Sequence, residues 1–372
     1  MKRLKSVLSV LLVLTMAVSM GACNSTSAPA GASQNQSASE KEETITVAVL
    51  PKFKGENYWD ACKTGAQEAI KELQTEGKKV EMIYDGPPQD QATNQKQVDI
   101  LEGWIAQNVN AIVTGVIDPG AISQTLQKAR DKGIKVVTFD SDSPKARDLF
   151  INQVSFDGIA EGVVKSASDQ LTRKGYGPNH KANVAIISQT KTDTNLNGWI
   201  AAIKKLLATK EYNWMVVQNE NTDIYYPGAD ESENSKTAST LLGRMGGGAD
   251  QINCAMGITS MSCPCLGAAY QSAASKPDKD SVVITGLATP NAVKSYILDD
   301  TNPLKTAVLW KCSDLGYLAA QAGYQLASGE LAKDATFIKT KRLGERSISK
   351  DGTIVLGDAL IITKNNVSQY NY

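Results

Sequence analysis

From Thr44 onward, short apolar runs alternate with stretches that are apolar on one helical face only. That alternation leaves few folds open. Residues 46–50 (TVAVL) read as a first strand, a helix follows near 59–76, and 80–84 is a second strand. Val98, Leu101 and Ile105 recur at i, i+3, i+7 on the next helix. Residues 111–113 form a short buried strand, Ile122, Leu126 and Ala129 mark another helix, and 134–139 is a fourth strand. Nearly continuous apolar strands between amphipathic helices mean a parallel sheet covered on both faces. The pattern restarts after residue 150. Strands are predicted at 184–187, 214–217, 252–256, 282–284 and 307–310, with helices at 199–207 and 237–245 among those between them. Leu315, Leu318, Ala319, Ala322 and Leu326 form the stripe of a late helix. Two α/β units of similar length predict an α/β fold of two similar lobes, each a parallel sheet flanked by helices. Ligands in such sheets sit beyond the carboxyl ends of the strands, so two lobes can share one cleft. Residues 223–232, with Pro227 and Gly228, read as a surface loop, and Tyr225 and Tyr226 as its exposed aromatics.

The first 43 residues carry a different signal. Lys2, Arg3 and Lys5 precede an apolar stretch at 7–18 that is short for a bilayer span and reads as a signal peptide. It ends at Met20-Gly21-Ala22-Cys23, which resembles the lipobox of bacterial lipoproteins with Met where Leu is usual. On that resemblance, residues 1–23 are a lipoprotein signal peptide whose Cys23 sulfur takes the lipid and becomes the mature first residue. The competing reading is an ordinary secretory signal with an incidental cysteine. Two or three acyl chains anchor durably where one does not. Residues 24–43, rich in Ser, Ala, Gln and Asn, read as a flexible tether.

Composition narrows the chemistry. Among 372 residues, Lys plus Arg and Asp plus Glu balance at 39 each, so no charge excess calls for nucleic acid. His180 is the sole histidine, which weakens a His-based metal site or a Ser-His-Asp triad. Nucleophile-elbow, phosphate-loop and metal-binding motifs are absent from the sequence, and no cofactor is expected. Besides Cys23 the chain has Cys62, Cys254, Cys263, Cys265 and Cys312. Five thiols cannot all pair internally, Cys263-Pro264-Cys265 is too close for a zinc knuckle, and small buried hydrophobes are expected.

Several segments, in order, resemble the type I periplasmic sugar-binding proteins, the ribose-binding class, nearest its rhamnose-binding and autoinducer-2-binding branch. They are Leu50-Pro51-Lys52, Thr138-Phe139-Asp140-Ser141-Asp142, Ile151-Asn152-Gln153, Thr194-Asn195-Leu196-Asn197-Gly198-Trp199, Gly286-Leu287-Ala288-Thr289-Pro290, and Leu309-Trp310 leading into Asp314-Leu315-Gly316-Tyr317. The resemblance runs from about residue 44 to the C-terminus. It implies three crossovers between the lobes, with residues 44–152 and 311–340 in the first and 153–310 and 341–372 in the second.

It also implies a site. Asp140 follows an apolar strand directly, and a carboxylate there accepts two hydroxyl hydrogen bonds from a vicinal diol; the alternative is a helix cap. Asp142 reads equally as a cap or hinge contact. Lys52 ends the first strand and matches a ligand lysine of the autoinducer-2 branch, against the alternative of a surface lysine. Tyr58 and Trp59 stand where the ribose class places ring-stacking aromatics, although packing on the sheet would also explain them. Asn195, Thr259, Pro290 and Trp310 complete the expected set. Autoinducer-2 receptors carry an Asp-Gln pair where this chain has Asn195-Leu196, and a Pro-x-Ala segment where it has Ile258-Thr259-Ser260. Both departures argue for a neutral sugar over autoinducer-2. The expected partners are a small sugar, the permease and ATPase subunits of an ABC importer, and the outer face of the cell membrane through the lipid, with the protein itself a monomer. A receptor that presents its ligand to a signalling partner is the competing function, and an enzyme is disfavoured.

Overall fold

The computed structural model describes residues 43–372 except residue 249. The first lobe begins with β1 (Ile45–Leu50), α1 (Asn57–Thr75), β2 (Val80–Tyr84), α2 (Asn94–Ala106), β3 (Ala111–Thr114), α3 (Pro119–Asp131), β4 (Lys135–Phe139) and β5 (Leu149–Asn152). The second is built from α4 (Phe156–Arg173), β6 (Ala182–Ile187), α5 (Thr194–Leu207), β7 (Met215–Val216), α6 (Glu220–Asp223), β8 (Ile224–Tyr225), α7 (Glu231–Met245), β9 (Cys254–Gly257), α8 (Ser262–Ser272), β10 (Val283–Gly286), α9 (Pro290–Leu298) and β11 (Thr306–Leu309). The chain then supplies α10 (Cys312–Ser328), β12 (Phe337–Thr340), β13 (Gly344–Ser347), β14 (Thr353–Val355) and β15 (Leu360–Thr363).

The first sheet runs β14-β5-β4-β3-β1-β2, with every pairing parallel. In the second, β10, β9 and β6 pair in that order, and both β7 and β8 pair with β6, again in parallel. Bridges at Ile284–Leu304 and Leu287–Val308 bring β11 alongside β10, and β15 closes the edge antiparallel to β11. The expected α/β architecture is therefore present, and strands β3, β4, β5, β9 and β10 are buried almost throughout, as two covered faces require.

Three differences from the sequence reading are local. Residues 341–372 were expected in the second lobe, but β14 pairs with β5 and completes the first sheet; β15 and the residues after it join the second, where the Asn291 amide at the start of α9 donates to the Tyr372 backbone oxygen at 3.1 Å. The unpaired edge of β5 supplies the hydrogen-bonding partner that a three-residue strand needs. Residues 223–232 are not all loop, because Ile224 and Tyr225 pair with β6. Tyr225 and Tyr226 are half-buried, with Arg244 bonded to the Tyr225 hydroxyl at 2.7 Å. Val98 is half-buried, while Leu101, Trp104 and Ile105 carry the buried face of α2.

The first lobe holds α10 through its longest helix contact, with α1. Two glycines make that contact backbone to backbone. A Cβ at Gly65 would lie 1.7 Å from the Ser313 carbonyl oxygen, and one at Gly316 would lie 1.8 Å from that of Cys62. The five cysteines from Cys62 onward are free thiols. Cys62, Cys254, Cys263 and Cys312 are fully buried and Cys265 partly so, and burial pushes each thiol above its ordinary range.

Candidate ligand site between the lobes

Strand ends from both sheets converge on one small cavity of about 60 Å³. From the first lobe, β1 delivers Lys52 and Phe53, the first turn of α1 delivers Tyr58 and Trp59, and β4 delivers Asp140. From the second, Gln189 follows β6, Asn195, Leu196 and Trp199 lie on α5, and Ile258, Thr259 and Ser260 follow β9. Leu287 follows β10, and Leu309 and Trp310 end β11.

Asp140 sits in a strained turn. Its φ is +64°, in the left-handed region, and the Ser141 amide donates to the Phe139 carbonyl at 2.7 Å across it. That is a γ-turn of the rarer, positive-φ kind, with a cost of order 1–3 kcal/mol. The Asp140 carboxylate accepts from the Tyr58 hydroxyl at 2.6 Å and lies 3.3 Å from the Lys52 ammonium.

Lys52 has a second partner. Its ammonium donates to Asp193 at 2.6 Å, and all three side chains are at least nine-tenths buried. Asp193 caps α5, accepting from the Asn195 and Leu196 amides at 3.0 and 2.9 Å. Burial alone would lower the Lys52 ammonium, but Asp193 and Asp140 more than offset it, so Lys52 is held above its ordinary value. Two carboxylates share one ammonium, and Asp140 is pushed upward. Its burial and the Asp193 charge outweigh the help of Lys52 and Tyr58. Burial and Asp140 also push the Tyr58 hydroxyl well above its usual range, so it stays a donor.

Aromatic rings wall this charged cluster. Tyr58 packs edge-on to Trp59 (centroids 4.9 Å apart) and to Trp310 (5.8 Å), and Trp310 meets Trp199 at 5.8 Å. The indole nitrogens of Trp199 and Trp310 and the Asn195 side-chain oxygen are buried with no hydrogen-bond partner in the protein. Two donors and one acceptor are thus free beside a net-negative triad. A compact molecule with several hydroxyls and an apolar face matches that combination.

Of the expected site residues, Lys52, Tyr58, Trp59, Asp140, Asn195, Thr259 and Trp310 line this cavity. Thr259 lines it with its polar atoms committed: its hydroxyl and amide donate to the Ser262 hydroxyl, at the start of α8, at 2.9 and 3.0 Å. Asp142 and Pro290 do not line it. The Asp142 carboxylate grips the Arg147 guanidinium at 2.9 and 3.0 Å and accepts from Thr138 at 2.6 Å, a buried tie within the first lobe. Pro290 opens α9, where its missing N–H and fixed φ suit the first helical turn. Cys23 lies outside the described residues. Asp193 was not among the expected residues. The one signal for it was helix capping: an Asp directly before Thr194-Asn195.

The acid argument against autoinducer-2 is altered as well. The position of Asn195 lacks a carboxylate, but Asp193, two residues earlier, puts one into the cluster.

Residues 47–331 match the periplasmic binding protein domain family. Among solved structures, LsrB from Clostridium saccharobutylicum in complex with AI-2 superposes with a TM-score of 0.78 at 25% identity, over 88% of this chain and 100% of that one. A sugar ABC transporter protein from Actinomyces odontolyticus gives 0.67 at 29%, over 88% and 98%. An ABC transporter solute-binding protein from Clostridium phytofermentas with bound L-rhamnose gives 0.75 at 23%, over 88% and 98%. None of the described helices is long and apolar enough to cross a membrane. The matched segment spans most of the chain, and the chain belongs to the periplasmic binding protein domain family.

Proposed function

We propose that this protein is an extracytoplasmic solute-binding subunit that captures a small neutral monosaccharide, rhamnose-like in size, and delivers it to the permease and ATPase of an ABC importer. The observation that carries the reading is the buried Lys52–Asp140–Asp193 cluster, with groups from both lobes and unpartnered Trp199, Trp310 and Asn195 atoms beside it. Carboxylates accept from paired hydroxyls, the indoles donate to ring or hydroxyl oxygens, and the aromatic faces cover the C–H side of a pyranose. The net negative cluster disfavours sugar acids and sugar phosphates. Lys52, Tyr58, Trp59, Asp140, Asp193, Asn195 and Trp310 are the proposed ligand contacts. The sugar ABC transporter relative at 29% identity supports the transport role. Cys23, lipidated, tethers the protein to the outer face of the membrane through residues 24–43. Binding and closure are the whole of its action; it transforms nothing.

A second reading, autoinducer-2 capture, is favoured by Asp193, which restores an acid beside Lys52, and by the likeness to an AI-2-bound protein. Calorimetry with L-rhamnose, other deoxyhexoses, pentoses, hexoses and autoinducer-2 separates the two. A monosaccharide that binds at low micromolar concentration or tighter, with autoinducer-2 silent, supports the sugar reading. Tight autoinducer-2 binding with every monosaccharide silent replaces it.

A further inference from the structure

A second cavity, of about 890 Å³, lies between the lobes beside the first. Its first-lobe wall includes Phe150 and Asn152 of β5 and Val355 of β14. Its second-lobe wall includes Phe156 at the start of α4 and Thr194 and Asn195 at the start of α5. Asn195 lines the 60 Å³ cavity as well, so one side chain belongs to both surfaces. The Asn152 and Asn195 side chains are 6% and 3% exposed, and the amide oxygen of each has no hydrogen-bond partner in the protein. A buried acceptor left unpaired costs about 1–3 kcal/mol. Phe156 and Val355 show the opposite anomaly. At 38% and 39% exposure they are two of the five large apolar side chains open to water among the described residues. Gly198, one turn along α5 from Asn195, seats the Phe156 ring, because a Cβ there would come within 2.7 Å of it.

We propose that this cavity is a second sugar subsite and that the captured ligand is a glycoside. Its first ring fills the small cavity, and its second lies in the large one with its C–H face on Phe156 and Val355 and a hydroxyl donating to Asn152. Asn195 stands at the junction, where its oxygen accepts from a hydroxyl beside the linkage. The small cavity has room for one ring and little attached to it, so any substituent must lie outside it. A purely apolar substituent would leave both amide oxygens unpaired, whereas a hydroxylated ring satisfies them and still covers the exposed aromatic face. The second ring touches both lobes, as the first does, so it adds its contacts to the closed cleft alone. The inference rests on the reading of the smaller cavity as a sugar site.

Calorimetry on the full chain compares each of four sugars with a disaccharide that contains it: L-rhamnose with rutinose, D-xylose with xylobiose, D-glucose with maltose and D-galactose with lactose. At least one disaccharide should bind about tenfold more tightly than its parent sugar. Phe156→Ala and Asn152→Ala should each remove that gain and leave the parent sugar's affinity within about twofold, with thermal melts showing that both variants fold. A gain that survives either substitution overturns the subsite. A parent sugar that binds while every disaccharide is weaker or silent overturns the subsite alone. Silence of all eight compounds removes the sugar reading of the smaller cavity, and the subsite with it.

Discussion

Lys52 and Asp193, 141 residues apart, meet at 2.6 Å across the two lobes. Each also serves its own lobe, Lys52 as a partner of Asp140 and Asp193 as the cap of α5. The pair therefore ties one lobe to the other, and breaking it should change how the lobes meet before it changes folding.

Asp193→Asn keeps a capping oxygen for the Asn195 and Leu196 amides and removes the charge. It should weaken ligand binding by about 1.5–3 kcal/mol, roughly 10- to 100-fold, with little change in the melting temperature of the empty protein. Calorimetry and thermal melts on the same variant check both halves. Unchanged affinity would confine Asp193 to capping.

Asp140 offers a cleaner separation. Asp140→Ala should weaken binding by about 2–4 kcal/mol. Asp140→Gly should lose as much affinity yet leave the empty protein as stable or more so, because glycine accepts the +64° φ without strain. A glycine variant that binds normally would remove the carboxylate from the site.

The Asp142–Arg147 pair should behave in the opposite way. Both side chains are largely buried and doubly bonded, so Arg147→Ala leaves a buried charge alone and should cost about 3–5 kcal/mol of stability. Its ligand affinity, measured well below the melting temperature, should stay within a few-fold of the unmodified value. A large affinity loss at preserved stability would return Asp142 to the cleft.

Cys23→Ser should release the protein from the membrane fraction, because the acyl chains have no other attachment point. Retention after a high-salt wash would mean that something else holds it.

The fold was legible where local signals suffice. Strand β2 was read with its observed bounds, and Ile122, Leu126 and Ala129 do face the core. Most of the cavity was legible too, because residues at the carboxyl ends of strands converge whatever the rest of the chain does. What escaped was non-local. Asp193 looks in sequence like an ordinary cap, and only the approach of two lobes gives it a lysine. β14 is three residues long, too short for a period-2 pattern, and its place is set by the free edge of β5. Asp142 was ambiguous because Arg147, five residues on, decides its role, and neither residue type nor spacing distinguishes a partner from a neighbour.

The exchange of segments between lobes also sets an order of assembly. The first lobe takes α10 against α1 and then β14 against β5, and β14 follows β5 only after strands β6 to β11 of the second lobe have passed. Those strands of the other lobe must therefore be synthesised before the first lobe can complete its own sheet. A lobe that waits for so distant a strand stays unfinished, and so open to threading, while its neighbour is being made.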